Sequence, residues 1–139
     1  MDQEIDRKKY TFSVYGHPNM LAKHVKTLEF TKDEDITERA DCIIGVKADF
    51  DKSELQKFSK KVQVICSITK PDGEVLTSVF KCKVSPQFNS DHELVLRKSG
   101  FSSDRTFGVG LNRGANWLNR EMLELLRNPH QGMDVTIIE

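Results

Sequence analysis

Long apolar runs are missing from this sequence. No stretch approaches the ~20 residues that a helix needs to cross a bilayer, and the opening MDQEIDRKK is too polar for a secretory leader. Cysteine is scarce: Cys42, Cys66 and Cys82 are widely spaced, odd in number and contain no Cys-x-x-Cys pair, so a cysteine-built zinc site is not expected. Each lies in an apolar or alternating stretch, where a free thiol behaves as a small hydrophobe, the pattern of a reduced cytoplasmic protein. An excess of one charge is also missing. Lysine plus arginine number 21 and aspartate plus glutamate number 21, for a net charge of zero. That balance removes the usual argument for non-specific nucleic-acid binding, and neither nucleic acid nor a membrane is an expected partner. It also removes charge repulsion between copies, which favours a homo-oligomer. There is no Gly-Lys-Ser/Thr loop, no Gly-x-Ser-x-Gly elbow and no Ser-His-Asp order. No reaction is named by these motifs and no cofactor is called for.

What remains is 139 residues, 37% hydrophobic and 30% charged, the composition of a globular chain. The length suits a single domain over residues 1–139 that buries about two-thirds of its unfolded surface.

Strand signals dominate. Tyr10, Phe12 and Val14 alternate with Thr11 and Ser13 up to the turn Gly16-His17-Pro18-Asn19. A second strand is predicted over His24–Thr31, followed by the acidic stretch Lys32–Asp41 and the apolar run Cys42-Ile43-Ile44-Gly45-Val46. Val62, Val64, Cys66 and Ile68 alternate, as do Leu76, Phe80, Cys82 and Val84, with Lys70-Pro71-Asp72-Gly73 between them. Proline presets the first corner of a turn and glycine tolerates its left-handed exit, so this is a β-hairpin. Further strands are predicted at His92–Arg97, Thr106–Leu111 and Asp134–Ile138.

Two helices are predicted. Ser53-Glu54-Leu55-Gln56 has capping-box spacing, and Leu55, Phe58 and Val62 form a stripe for about two turns. From about Ala115 to Arg127, Leu118, Met122, Leu125 and Leu126 share a face until Asn128-Pro129 stops the helix. If Thr106–Leu111 is a strand, this helix makes a right-handed crossover between parallel neighbours. The predicted class is α+β and β-rich, a mostly antiparallel barrel or sandwich with two helices.

Several constellations could carry chemistry. His17, held beside a proline turn, is a candidate general base, with Asn19 supplying a donor and an acceptor, His24 nearby in sequence, and Asp41 or Asp49 able to orient the imidazole. Turn chemistry alone also explains these residue types. Arg105-Thr106-Phe107-Gly108-Val109-Gly110-Leu111-Asn112-Arg113-Gly114 precedes a predicted helix, and glycines with planar guanidinium donors suit an anion. Its Gly-x-Gly-x-x-x-Gly spacing fits neither phosphate-loop fingerprint, and glycine-enabled packing explains it equally well. Trp117 is predicted on the outward helix face, flanked by Arg120 and Glu124. It is either covered by a loop or an anchor for a partner. The acidic run Asp33-Glu34-Asp35 lacks the spacing of a calcium loop and reads as a solvated turn, with no metal expected. Lysines 57, 60, 61, 81 and 83 form modest basic patches that read as solvated faces.

Three segments together resemble an archaeal family of conserved proteins known as domain of unknown function 371. They are Gly16-His17-Pro18-Asn19 leading to His24-Val25-Lys26-Thr27-Leu28-Glu29, then Asp41-Cys42-Ile43-Ile44-Gly45-Val46-Lys47-Ala48-Asp49, and Ser99-Gly100-Phe101 with Arg105-Thr106. The resemblance covers about the whole chain and implies an archaeal, cytoplasmic, β-rich protein, with no activity attached. The recurrent residues of the family fall on His17, Asn19, His24, Asp41, Asp49, Arg105 and Thr106, while Asn112-Arg113-Gly114 departs from its lysine-alanine pattern.

Two functions are expected from different classes. In the first, the His17 turn, the Asp41–Asp49 strand and the Arg105 loop converge on a polar cleft for a small anionic ligand, with His17 and Asp41 in acid–base roles and Asn19, His24, Asp49, Arg105 and Thr106 binding. In the second, the protein is a non-catalytic interaction or assembly module using Trp117 and exposed sheet edges.

Overall fold

Alternation of apolar and polar residues builds a sheet of eight strands in a computed structural model that describes residues 7–139. In chain order the elements are β1 (Lys9–Tyr15), β2 (Thr27–Thr31), β3 (Ile43–Gly45), α1 (Lys52–Leu55), β4 (Lys61–Thr69), β5 (Val75–Val84), β6 (Glu93–Arg97) and β7 (Thr106–Val109). A 3-10 turn (Ala115–Trp117), α2 (Arg120–Leu126) and β8 (Gly132–Ile138) complete the chain. The spatial order is β1-β8-β4-β5-β7-β6-β2-β3. Only β6–β7 and β2–β3 pair in parallel, so the sheet is mostly antiparallel, as predicted.

The sheet is not closed into a barrel. Its two outer strands, β1 and β3, share no continuous ladder. Instead the segment after β3 makes one antiparallel bridge between Tyr15 and Val46, and Asp49 both donates its backbone N–H to Ser13 and accepts the Ser13 N–H at 2.7 Å on its carboxylate. This segment occupies the outer edge of β1 with irregular backbone, which blunts it as a template for further strands.

The hairpin is the strongest local element. In β5 every second residue from Leu76 to Val84 is buried, and β4 follows the same rule. The turn closes with Lys70 donating its N–H to Glu74, Gly73 donating to Lys70, and Gly73 at φ +92°, a conformation glycine adopts without a Cβ clash. Inside the curl of the sheet, Phe12 packs edge-on against Phe30 and Phe50, while Phe107 meets Phe88 and Phe58. Met122, Leu123 and Leu126 of α2 join the same core. Gly16 makes one close approach: a Cβ there would sit 2.0 Å from the Leu126 carbonyl oxygen.

Three local expectations change. The first helix is a single turn: Asp51 rather than Ser53 is its N-cap, and Val62 leaves the helical stripe because pairing with Cys82 draws it into β4. The second helix breaks in two. Leu118 is extended, the Asn119 side chain accepts the N–H groups of Glu121 and Met122, and Ser78 Oγ accepts the Asn119 N–H at 2.9 Å. A capping side chain thus outcompetes helical continuation. Arg120 turns away from Glu124 and donates to the carbonyls of Leu118, Asn116 and Ala22. Finally, β8 inserts between β1 and β4, antiparallel to both, so α2 makes no parallel crossover from β7.

Candidate functional site

On β2, Leu28 and Phe30 enter the core, so Thr27, Glu29 and Thr31 must face outward. On β6, Leu94 and Leu96 point inward, and Glu93, Val95 and Arg97 face outward. The antiparallel register sets Thr27 opposite Arg97, Glu29 opposite Val95 and Thr31 opposite Glu93. This outer face is nonetheless covered: Glu29 is only 6% exposed, and Thr31, Val95 and Thr106 are fully buried. A carboxyl group therefore lies under protein, in the middle of a strand.

Glu29 has its partners on both sides. The Cys42 thiol donates to Glu29 at 3.7 Å, Glu29 and Glu93 share a hydrogen bond, and Arg105 Nη1 donates to Glu93 at 2.9 Å. Burial, then the hydrogen bond and repulsion from Glu93, push the Glu29 carboxyl up to about 8, with Arg105 pulling the other way. Burial also works against ionisation of Glu93, but the hydrogen bonds from Glu29 and Arg105 outweigh it and hold its carboxyl below the ordinary range. The two shifts run in opposite directions and favour a protonated Glu29 beside an ionised Glu93 at neutral pH, the division of labour between two carboxyls that proton transfer requires. Burial and then the charge of Glu29 push the Cys42 thiol up to about 12, so it is a donor and no nucleophile. Next along the face, Thr106 Oγ1 accepts from Arg97 Nε at 3.3 Å and from the Ser103 N–H at 3.2 Å, and Arg97 stacks on the exposed Phe101 ring.

Of the sequence-predicted residues, Arg105 and Thr106 lie in this cluster. Asp41 adjoins it through Cys42, and its carbonyl accepts the N–H groups of Lys23 and His24. The His24 ring faces its own turn, Nδ1 accepting from the N–H groups of Lys26 and Thr27. This turn delays the start of β2 to Thr27. His17 is buried, and its Nδ1 accepts the Asn19 N–H, which leaves the proton on Nε2 for donation to Asp35 at 2.6 Å. The imidazole is oriented by Asp35, not by Asp41 or Asp49. Asn19 donates to the Ile36 carbonyl, and Asp49 serves the edge of β1.

Asp33, Glu34 and Asp35 are exposed, as expected of a solvated turn, and two of them also accept hydrogen bonds from histidines. Asp33 accepts from His92 Nε2 at 2.7 Å and Asp35 from His17, so two histidines dock the strap, residues 33–41, that leads to Cys42, whose thiol reaches Glu29. His17 and Arg105 make no hydrogen bond with each other, and this strap is their connection. Two surface cavities of about 430 and 440 Å³ lie elsewhere, and neither is lined by His17, Asp41 or Arg105.

Glu29, Glu93, Arg97 and Cys42 belong to the cluster without standing out in the sequence as candidate site residues. A signal was present: a glutamate flanked by Leu28 and Phe30 in a five-residue strand has both neighbours in the core. Alternation places it only on the face opposite Leu28 and Phe30, and the groups it meets there, Cys42, Glu93 and Arg105, are distant in sequence. Trp117 lies on the 3-10 turn, 53% exposed, with the Arg113 guanidinium 3.9 Å above its ring. Among the described residues, no three of His, Cys, Asp and Glu are grouped to hold a metal ion, and no helix is long and apolar enough to cross a membrane.

The chain is similar to an uncharacterized protein of the archaeon Methanocaldococcus jannaschii, 29% identical over 124 residues that span 86% of this chain and 91% of the relative. A family model described as a domain of unknown function matches residues 12–139, which include every residue of the cluster, and the chain belongs to that family, domain of unknown function 371.

Proposed function

We propose that the protein binds a small anionic ligand at the outer face of β2, β6 and β7, beside a carboxyl pair able to exchange a proton with it. The observation that supports this most is Glu29, a carboxyl buried in mid-strand beside Glu93, which Arg105 holds at 2.9 Å; burial and that neighbour favour its protonated form. A fold with no use for a proton there would place a threonine or valine at that position, because a buried carboxyl costs stability. Arg105 is the docking group. Its side chain is 44% exposed and spends Nη1 on Glu93, leaving a planar edge toward solvent for a carboxylate or phosphate. Arg97 supplies a neighbouring donor, held in place by the buried Thr106 hydroxyl. Glu29 is the proton donor, and Asp41 with Cys42 forms the wall opposite Arg105. His17, Asn19, His24 and Asp49 act at one remove, as residues that position the strap and the loops around it. The setting we propose is a cytoplasmic one, in keeping with three unpaired thiols.

Amide chemical shifts during titration with malonate and with inorganic phosphate test this reading. Saturable shifts are expected at Arg105, Thr106 and Glu29, lost in Arg105→Ala. Shifts that are absent at 20 mM ligand, or unchanged in that variant, would overturn it.

A second reading, an interaction module, draws on Trp117, whose exposed ring is pre-stacked by Arg113; the equally exposed Val25 packs its backbone against Gly114, three residues before the ring. The edge of β1, by contrast, is already occupied by Val46 and Asp49, so this reading rests on the tryptophan surface and not on sheet edges.

A further inference from the structure

The hairpin register creates a concentration of positive charge that the fold itself does not need. Lys61 sits directly opposite Lys83, and Gln63 opposite Lys81, on the outer face of β4 and β5. Like charges facing each other across an antiparallel pair are destabilising, and in a chain of net charge zero an opposite sign was freely available. These lysines line a cavity of about 430 Å³, which falls in the size range of small-ligand sites. Arg7 lines the same cavity, with the amides of Gln63 and Asn112, and no aspartate or glutamate is among its described lining residues. Glu139, whose main-chain oxygen accepts from Arg7, has its carboxylate engaged by the N–H groups of Ser59 and Lys60 and by Lys8. Asn112 is fixed in place, its Oδ1 accepting the Lys81 N–H at 2.9 Å while its own N–H returns to the Lys81 carbonyl. The glycine loop singled out in the sequence contributes here through Gly110 and Asn112. Its anion-binding potential lies in this wall, not in a helix start, since the following 3-10 turn has three residues.

We infer that this cavity is a binding site for a small polyphosphorylated molecule of nucleotide size. Four cations around one cavity exceed what a single carboxylate or monophosphate would neutralise, whereas a di- or triphosphate chain carries matching charge. Ile138 and the stems of the lysines offer an apolar surface for the remainder of the ligand. The site is separate from the Arg105 cluster and stands independently of it.

Isothermal titration of the full chain with ATP, inorganic tripolyphosphate and adenosine tests the assignment, with Lys61→Gln/Lys83→Gln as the variant. ATP should bind with a Kd below about 1 mM, weaken as salt rises, and lose about tenfold or more in the variant. Tripolyphosphate binding as tightly as ATP would assign recognition to the phosphates alone, and ATP binding more tightly would add a nucleoside contact. Both outcomes support the site. Because Lys61 and Lys83 repel each other, the variant should melt at the same temperature as the parent or higher, so its lost binding cannot be misfolding. In Arg105→Ala, ATP binding should persist, which separates this result from failure of the carboxyl-pair reading. The inference is overturned if ATP and tripolyphosphate do not bind at 5 mM, if adenosine binds as well as ATP, if the variant binds unchanged, or if a single-stranded oligonucleotide displaces ATP with much higher affinity.

Discussion

Replacing Glu29 by glutamine removes one proton-binding group while keeping the shape of the side chain and a donor toward Glu93. The consequence depends on pH. In the unfolded chain this carboxyl loses its proton near 4.5, whereas in the folded protein it keeps it up to about 8. Between those values the native state holds more protons than the unfolded state, so wild-type stability falls as pH rises. The contribution of Glu29 is intact below 4.5 and fully lost above 8. At about 1.36 kcal/mol per pH decade, the interval corresponds to a ceiling of roughly 5 kcal/mol. Relaxation of the pair toward the half-exposed Arg105 reduces this, and about 2–4 kcal/mol is expected. Glu93, held low, acts in the opposite sense: its contribution is present above 4.5 and disappears on acidification, outside the Glu29 window. Urea unfolding of both proteins at pH 5 and pH 8.5 is the assay. Glu29→Gln should lie within about 1 kcal/mol of wild type at pH 5 and exceed it by about 2–4 kcal/mol at pH 8.5, with unchanged m-values. An equal difference at both pH values would refute the reasoning, because Glu29 would then be ionised in the native protein.

Other perturbations report on the framework. Gly16→Ala brings a methyl into the backbone at Leu126, the end of α2, and at Asn128 beyond it, and a loss of about 3 kcal/mol or more in denaturant unfolding is expected. Asn119→Ala removes the α2 cap and should cost about 1 kcal/mol in the same assay, with a local rise in amide exchange at Glu121 and Met122. Burial pushes the thiols of Cys66 and Cys82 up to about 12, as it does Cys42. Alkylation at pH 8 should therefore be slow in the native protein and complete in urea, and rapid native labelling of any of the three would contradict the packing.

Local chemistry was legible wherever one segment decides its own fate. The β4–β5 hairpin could be read because ten alternating residues and a Pro-Asp-Gly turn agree, and β1 and β8 followed from the same period. The helices were over-extended because apolar spacing outlasts the helix. Asn119 caps a new helix against Ser78, and Val62 is claimed by its strand partner, contacts that periodicity does not encode. The candidate site was half legible. Arg105, Thr106 and Asp41 were singled out as polar residues at strand ends, but the group that gives them chemical interest, Glu29, sits in mid-strand. Its burial comes with Cys42, Glu93 and Arg105, which are distant in sequence and gathered around it only in the folded chain. Lys61 and Lys83 were similarly visible as residues but not as neighbours, since a register decides that they face each other.

The chemistry proposed for this face depends on a carboxylic acid that keeps its proton at neutral pH inside a strand. A pH titration of the glutamate side-chain carboxyl carbons by 13C NMR measures this directly, with Glu29→Gln to assign the signal. The Glu29 resonance should move with a midpoint near 8, while Glu93 is already ionised below neutrality. A Glu29 midpoint near 4.5, the value of an ordinary solvated glutamate, would contradict that chemistry.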